Sequence, residues 1–130
     1  MSQVIYKTEV VRLGSEALNA LDQNLLILFG QEVPEILEDM VFVHNNKQIS
    51  AEPKKGDLVL VDDQEFEILC VGDVVYQNLS QLGHCTLTFG ENEDQEILPG
   101  SIYLKAVKAP KAGIGSIIQI IQAQKEGTQR

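Results

Sequence analysis

The sequence predicts a mainly β fold: a small β-barrel, partly open or closed, with one to three short helical turns. Short apolar and β-branched runs recur along the chain, separated by glycine, proline, asparagine or aspartate. So many apolar strands need their edges covered, which closure into a barrel achieves. A chain of 130 residues has room for one core. We therefore expect a single domain over residues 1–122 and a polar C-terminal tail at 123–130.

The first half of the chain is predicted to hold three strands and two helical segments. The alternation in the first strand places Val4, Tyr6, Thr8 and Val10 on one face. Ser15 is the predicted N-cap of the helix that follows, because its hydroxyl can accept a hydrogen bond from the first helical turn. The predicted strands are residues 4–13, 24–29 and 40–44, and the helical segments are 16–21 and 34–38.

The second half is predicted to hold five strands and one short helix. Asp62 and Asp63 form the turn of a hairpin, and Gly83 ends the helix in the way that glycine commonly does. The predicted strands are residues 58–61, 64–71, 84–89, 101–107 and 116–121, and the helix is 78–82.

The net charge argues against several classes of partner. The chain has 10 Lys and Arg against 19 Asp and Glu, giving −9 at pH 7. This surface repels nucleic-acid phosphates and anionic lipids, so we expect no nucleic-acid partner and no direct membrane binding. It would attract basic proteins, although solubility alone also accounts for such a charge.

The cysteines and the N-terminus predict a reducing, cytoplasmic location. Cys70 and Cys85 each lie within an apolar run, where a free cysteine behaves as a small hydrophobic residue. Residues 1–7 lack the charged and apolar segments of a secretory signal. No apolar stretch approaches the roughly 20 residues that cross a bilayer.

The two histidines are the candidate reactive side chains, because glycine-rich phosphate loops and nucleophile-elbow motifs are absent from the sequence. His44 ends a predicted strand and precedes a turn at Asn45, where a rigid backbone can present an imidazole that is largely neutral at pH 7. His84 begins a strand after Gly83 and would approach His44 if the two strands were neighbours. The competing interpretation of each is a partly buried, hydrogen-bonded histidine at a strand end.

Two metal-site hypotheses compete with this interpretation. His44, His84, Cys70 and Cys85 could form a Cys2His2 zinc set, but they lack the short paired spacings that zinc sites use. The acidic stretch 91–96 lacks the residue order of a calcium loop and is better explained as a solvated turn. We therefore predict no metal site and no cofactor.

Several segments carry a resemblance to a known family. Residues 40–44 resemble a segment that ends in a phosphorylated histidine, and residues 78–89 resemble a Leu-Gly-His-x-Thr-Leu stretch. Residues 4–14 and 98–100 fit as well, in the same order. The chain resembles the IIA component of the glucitol/sorbitol phosphotransferase system, and the resemblance runs from about residue 4 to residue 121.

The resemblance implies a cytoplasmic phosphocarrier. His44 would accept a phosphoryl group from the carrier protein HPr and pass it to a IIB component, for uptake and phosphorylation of glucitol/sorbitol through the membrane component IIC. His84 would act as a helper, and Asn45 and Lys47 would contact the phosphoryl group. Only the transporter complex would bring the chain to a membrane, and exposed edge strands would favour a homodimer. The alternative is a small β-barrel that binds a ligand or serves as an adaptor without catalysis.

Overall fold

The computed structural model describes residues 3–90 and 96–123 and shows a closed, mixed β-barrel of eight strands. Two short α-helices and one 3₁₀ helix lie between the strands. The predicted mainly β barrel with few helical turns is therefore confirmed, and the barrel is closed. The strands are β1 (Gln3–Leu13), β2 (Leu25–Phe29), β3 (Phe42–His44), β4 (Leu58–Val61), β5 (Gln64–Val71), β6 (Cys85–Phe89), β7 (Ser101–Leu104) and β8 (Ile117–Gln122). The helices are α1 (Ala17–Asp22), the 3₁₀ helix (Glu35–Met40) and α2 (Val75–Leu82).

The strand order around the barrel is β1-β3-β2-β6-β7-β5-β4-β8, and β8 returns to β1. β2 pairs with β3 in parallel, β6 pairs with β7 in parallel, and the remaining pairs are antiparallel. Every described strand has a neighbour on both sides, so the exposed edges from which we expected a homodimer are not present among these strands.

A bulge in β1 changes which residues face the core. Tyr6, Thr8 and Val10 are buried as the alternation predicts, but Val4 is 48% exposed and Ile5 is buried. The pairing of β1 with β8 shifts register between Val4 and Tyr6. An extra residue at a bulge reverses the alternation on one side of it, which is why the prediction was wrong for Val4.

Two helix starts also differ from the prediction. Ser15 does not cap α1: Glu16 occupies the cap position without a side-chain hydrogen bond. The Glu16 N–H instead donates to the Asp39 carbonyl oxygen at 2.7 Å, so backbone from the 3₁₀ helix holds this end. Helix α2 begins three residues earlier than predicted, because Val75 and Leu79 are four residues apart and both pack into the core.

The barrel interior is filled with aliphatic and aromatic side chains from every strand. Phe42, Leu26, Ile68 and Leu104 are among the largest fully buried residues. Cys85 is buried and Cys70 is half-buried, and both are free thiols. Burial raises the pKa of the Cys85 thiol to about 12, so this sulfur is inert in the folded chain.

Some sequence predictions fall outside the described residues. These are most of the acidic stretch, residues 91–95, and the tail from residue 124 onward. None of the helices in residues 3–90 and 96–123 is long and apolar enough to cross a membrane.

Candidate active site

His44 is the last residue of β3, and its side chain is completely buried. It pairs with Val10 in the neighbouring strand β1, which places the ring beside the inward-facing Thr8 and Tyr6. A strand-end position suggested an exposed ring, whereas the structure encloses it. A local movement must therefore precede any reaction of this imidazole with a partner.

One ring nitrogen of His44 is held by backbone. Nε2 lies 2.7 Å from the carbonyl oxygen of Gly83, the residue that ends α2 in the left-handed conformation. A carbonyl oxygen only accepts hydrogen bonds, so Nε2 carries the hydrogen and donates it. This contact selects the Nε2–H tautomer of the neutral ring and leaves a lone pair on Nδ1.

The other ring nitrogen faces mainly hydroxyl groups. The Thr8 Oγ1 lies 2.7 Å from Nδ1, at a distance for donation of its hydrogen, and the Asn46 N–H donates to Nδ1 at 3.4 Å. The Tyr6 oxygen is also 3.4 Å away, but its hydrogen goes to the Asn46 carbonyl oxygen at 2.7 Å. Nδ1 is therefore an acceptor inside a set of donors.

Burial keeps the two titratable rings at this site, the His44 imidazole and the Tyr6 phenol, uncharged. Burial lowers the pKa of His44, and the hydrogen bond to Gly83 only partly opposes that effect. Burial also raises the pKa of Tyr6 well above its usual value, so the phenol remains protonated. His44 is thus a neutral imidazole at pH 7, the form that has a nucleophilic lone pair.

A pocket of about 320 Å³ lies next to His44. Its walls come from the end of β2, the end of α2 and the turn after β3, at residues 29–32, 81–82 and 44–47. Asn45 and Lys47 both line it, as does the acidic Glu32. Lys47 Nζ donates to the carbonyl oxygen of Gln81 at 3.3 Å, which places the positive charge of Lys47 beside the end of α2 in the pocket wall.

The comparisons with known proteins agree with one another. The family model described as "PTS system glucitol/sorbitol-specific IIA component" matches residues 5–119, most of the chain. The chain belongs to this family. The "PTS system glucitol/sorbitol-specific EIIA component" of Escherichia coli (strain K12) is 31% identical over 117 residues, covering 89% of this chain and 94% of that protein. The protein of the same name from Shigella flexneri gives the same identity and coverage.

A solved structure supports the fold of this IIA-family chain. It is titled "The Crystal Structure of PTS System IIA Component from Enterococcus faecalis V583" and superposes with a TM-score of 0.75. The match covers 87% of this chain and 97% of that one, at 24% identity. At that identity the likeness establishes the shared barrel architecture.

The predicted site residues are only partly gathered together in this IIA-family chain. His44, Asn45 and Lys47 lie at one pocket. The His84 ring instead packs on Phe29 at a centroid distance of 4.7 Å, and its Nδ1 is 3.2 Å from the Leu28 carbonyl oxygen. Among the described residues no hydrogen bond joins the two imidazoles, and no three His, Cys, Asp or Glu side chains are grouped for a metal ion.

Sequence reasoning missed the partners that orient His44. Thr8, Tyr6 and Gly83 were assigned only to a strand face and to the end of a helix. A signal for Thr8 was present, since it is a hydroxyl on a strand face otherwise predicted to be apolar or aromatic. Buried polar side chains need a hydrogen-bond partner, so Thr8 implied a polar group on a neighbouring strand.

Proposed function

We propose that His44 is the residue of this IIA-family chain that carries the phosphoryl group. HPr donates the group, and a IIB component receives it for the uptake and phosphorylation of glucitol/sorbitol through IIC. The proposal rests on one observation above all: a neutral imidazole with a fixed tautomer lies beside a pocket lined by backbone and a lysine. Phosphoryl transfer is governed by positioning and charge stabilisation, and the oriented imidazole and the lysine at the pocket supply these two contributions once the ring is accessible.

The residues around the pocket have distinct roles in this proposal. Lys47 and the Asn45 side chain contact the transferred phosphoryl group, which brings negative charge to a chain of net charge −9. Lys47 Nζ donates to the Gln81 carbonyl oxygen at the surface and can exchange it for a phosphoryl oxygen. The Asn45 Oδ1 accepts from the Glu9 N–H, so it is the side-chain NH2 group of Asn45 that would donate to the phosphoryl group. Charge-assisted bonds of this kind are about twice as strong as neutral ones.

His84 supports the site through the backbone. The carbonyl that holds His44 Nε2 belongs to the peptide joining Gly83 to His84, and the His84 ring is fixed against Leu28 and Phe29. His84 is therefore a positioning residue for His44. This role replaces the direct contact between the two rings that the sequence suggested.

Family membership supports the proposed partners and location. The chain would act in the cytoplasm, where HPr and the cytoplasmic face of a IIC component are accessible, and it would reach the membrane only within that complex. Its negative charge would steer basic surfaces of these partners toward it and increase the association rate.

The test is phosphorylation in a reconstituted relay. The purified chain is incubated with phosphoenolpyruvate, enzyme I and HPr, and its intact mass is measured at neutral pH beside His44→Gln and His84→Gln. We expect one acid-labile phosphoryl group on the parent chain and on His84→Gln, and none on His44→Gln. Loss in His84→Gln alone would move the acceptor to that residue. If the folded parent chain gains no mass, the carrier proposal fails in favour of a non-catalytic binding module.

A further inference from the structure

We propose that Tyr6 and Asn46 are positioning residues for phosphoryl transfer, because together they fasten the turn after β3 to β1 and so hold the Lys47 side chain at the pocket beside the acceptor histidine. The inference rests on the proposed function and extends it to two residues that act through Lys47. It follows from the way in which the segment after β3 is attached to the barrel.

Side chains, rather than a backbone ladder, hold the segment that follows β3. The Asn45 N–H donates to the Glu9 carbonyl oxygen at 3.2 Å, and the Ser50 N–H donates to the Ile5 carbonyl oxygen at 3.0 Å. Between these two points, residues 46–49 make no backbone–backbone hydrogen bond to any described residue. Because backbone polar groups outside regular structure need other partners, the position of this stretch depends on side chains.

Asn46 lies at the centre of these side-chain contacts, since all four of its polar groups have partners. Its side-chain NH2 group donates to the Lys7 carbonyl oxygen at 2.8 Å, and its Oδ1 accepts from the Gln48 N–H at 3.0 Å. Its carbonyl oxygen accepts from the Tyr6 hydroxyl at 2.7 Å, and its N–H donates to Nδ1 of His44 at 3.4 Å. Asn46 therefore joins β1 to the ring of His44 and to the residues that follow it.

Tyr6 anchors Asn46 from inside the barrel. Its side chain belongs to the core and is 2% exposed, and its ring lies edge-on to the His44 imidazole at a centroid distance of 6.2 Å. Burial raises the pKa of Tyr6 above its usual value, which keeps the hydroxyl protonated and able to donate to the Asn46 carbonyl oxygen. A residue buried in this way does not touch a docked partner protein, so an effect of its hydroxyl on phosphoryl transfer must pass through its neighbours.

Lys47 is the functional group that this arrangement places. Of the described residues that line the pocket, Lys47 alone carries a lysine or arginine charge, and Glu32 is the acidic residue. The Lys47 stem passes Gly30, where an added Cβ would lie 3.6 Å from Lys47 Cδ, and its Nζ donates to the Gln81 carbonyl oxygen at 3.3 Å. The positive charge needed by an incoming phosphoryl group therefore comes from this one side chain.

The Tyr6 hydroxyl acts on Lys47 through a single peptide. The Asn46 carbonyl oxygen that accepts from Tyr6 belongs to the peptide that joins Asn46 to Lys47. A lysine stem is flexible, so its charge stays at the pocket only while the backbone that carries it is fixed. Displacement of a catalytic group by about 1 Å can slow a reaction by about 10²-fold. Removing the Tyr6 hydroxyl should therefore weaken the contribution of Lys47 even though the charge is still present.

The first experiment measures phosphoryl transfer from phospho-HPr to Tyr6→Phe, which keeps the buried ring and removes the hydroxyl. We expect the maximum transfer rate to fall by about 10- to 100-fold, with the half-saturating concentration of phospho-HPr unchanged because the docking surface is not altered. Asn46→Ala should also lower the maximum rate. The matched control is Asn19→Ala, an exposed asparagine on α1, which should transfer at the parent rate.

The outcomes separate this inference from the carrier function. A Tyr6→Phe maximum rate equal to that of the parent chain would overturn the positioning role while leaving the carrier function intact. Absence of phosphorylation of the folded parent chain would instead remove the carrier function, and the inference with it.

The second experiment asks whether Tyr6 acts through Lys47. Lys47→Met removes the charge and keeps most of the stem, and Tyr6→Phe is measured with and without it. We expect Tyr6→Phe to slow transfer in the parent chain but to have an effect of less than about twofold when residue 47 is already methionine. Effects of the two substitutions that simply multiply, or a Lys47→Met rate equal to the parent rate, would overturn the inference.

The amide of Leu82 gives a readout that does not depend on transfer. Its N–H belongs to the peptide whose carbonyl oxygen, from Gln81, accepts from Lys47 Nζ. In ¹H–¹⁵N spectra, Tyr6→Phe and Lys47→Met should shift this amide in the same direction, and circular dichroism shows that each variant remains folded. A Leu82 amide that stays in place in folded Tyr6→Phe would contradict the link between the Tyr6 hydroxyl and Lys47.

Discussion

Gly83→Ala should be among the most damaging single-methyl substitutions in the chain. Gly83 has φ +70°, where an alanine costs about 1–2 kcal/mol more than glycine. The added Cβ would also lie 2.8 Å from the Gly30 nitrogen and 3.0 Å from Nε2 of His44. The contacted Gly30 atoms belong to the backbone, which shifts less readily than the end of a flexible side chain. Overpacking of this kind costs about 1–3 kcal/mol in stability. We expect a loss of roughly 2–5 kcal/mol in the free energy of unfolding from these two effects.

The assay is urea unfolding followed by circular dichroism, with Gly56→Ala as the matched control. Gly56 also has positive φ, +95°, but a Cβ there meets no atom within 4 Å. The control should therefore lose only the conformational part, about 1–2 kcal/mol. Gly113→Ala has open space and no positive φ, and it should change stability by less than about 0.5 kcal/mol.

The difference between Gly83→Ala and Gly56→Ala isolates the contact with His44 and Gly30. Gly83→Ala should also reduce phosphorylation of His44 in the protein that remains folded, because the carbonyl that fixes the tautomer is displaced. A stability loss equal to that of Gly56→Ala, with normal phosphorylation, would refute the close packing described for this helix end.

Three further predictions concern protonation, thiol reactivity and a buried carboxylate. Burial lowers the pKa of His44, so at low pH the unfolded chain binds a proton that the folded chain does not bind. The free energy of unfolding should therefore be constant above pH about 6.5 and decrease below it. Urea titrations across pH measure this, and the decrease should be less steep in His44→Gln. Iodoacetamide should label the half-buried Cys70 in native protein and reach Cys85 only after denaturation, as peptide mass spectrometry will show; native labelling of Cys85 would contradict its burial. Asp57→Ala should cost about 2–3 kcal/mol in urea unfolding, because its buried carboxylate accepts backbone hydrogens from Lys54 and Ala123, and Asp57→Asn should recover part of that loss.

The sequence predicted most elements of the barrel but not their arrangement. Alternating apolar residues locate a strand and its buried face, and the predicted hairpin of β4 and β5 is confirmed because its turn is local. The insertion of β3 between β1 and β2, and the parallel pair β6–β7, depend on partners that a period of two residues does not encode. Neither does the pattern show the bulge that turns Val4 outward, since the bulge arises from pairing with β8.

In the candidate site too, the local sequence predicted some residues, while others could be found only from the folded structure. His44 was identified from its place at a strand end, and its neighbours Asn45 and Lys47 followed because they are adjacent in sequence. The groups that set its tautomer lie 36 residues away at Thr8 and 39 residues away at Gly83. The β1–β3 register and the end of α2 bring them to the ring, so only the folded chain reveals the chemistry of each nitrogen.

The position of β8 between β1 and β4 also governs how the chain can be made. The ribosome releases β1 first and β8 last of these strands, and at about 5–20 residues per second the interval is on the order of ten seconds. During that time β1 and β4 each present an unpaired strand edge, which is a template for aggregation. The barrel therefore cannot close until β8 has emerged, and until then the edges of β1 and β4 stay open to pairing with other strands.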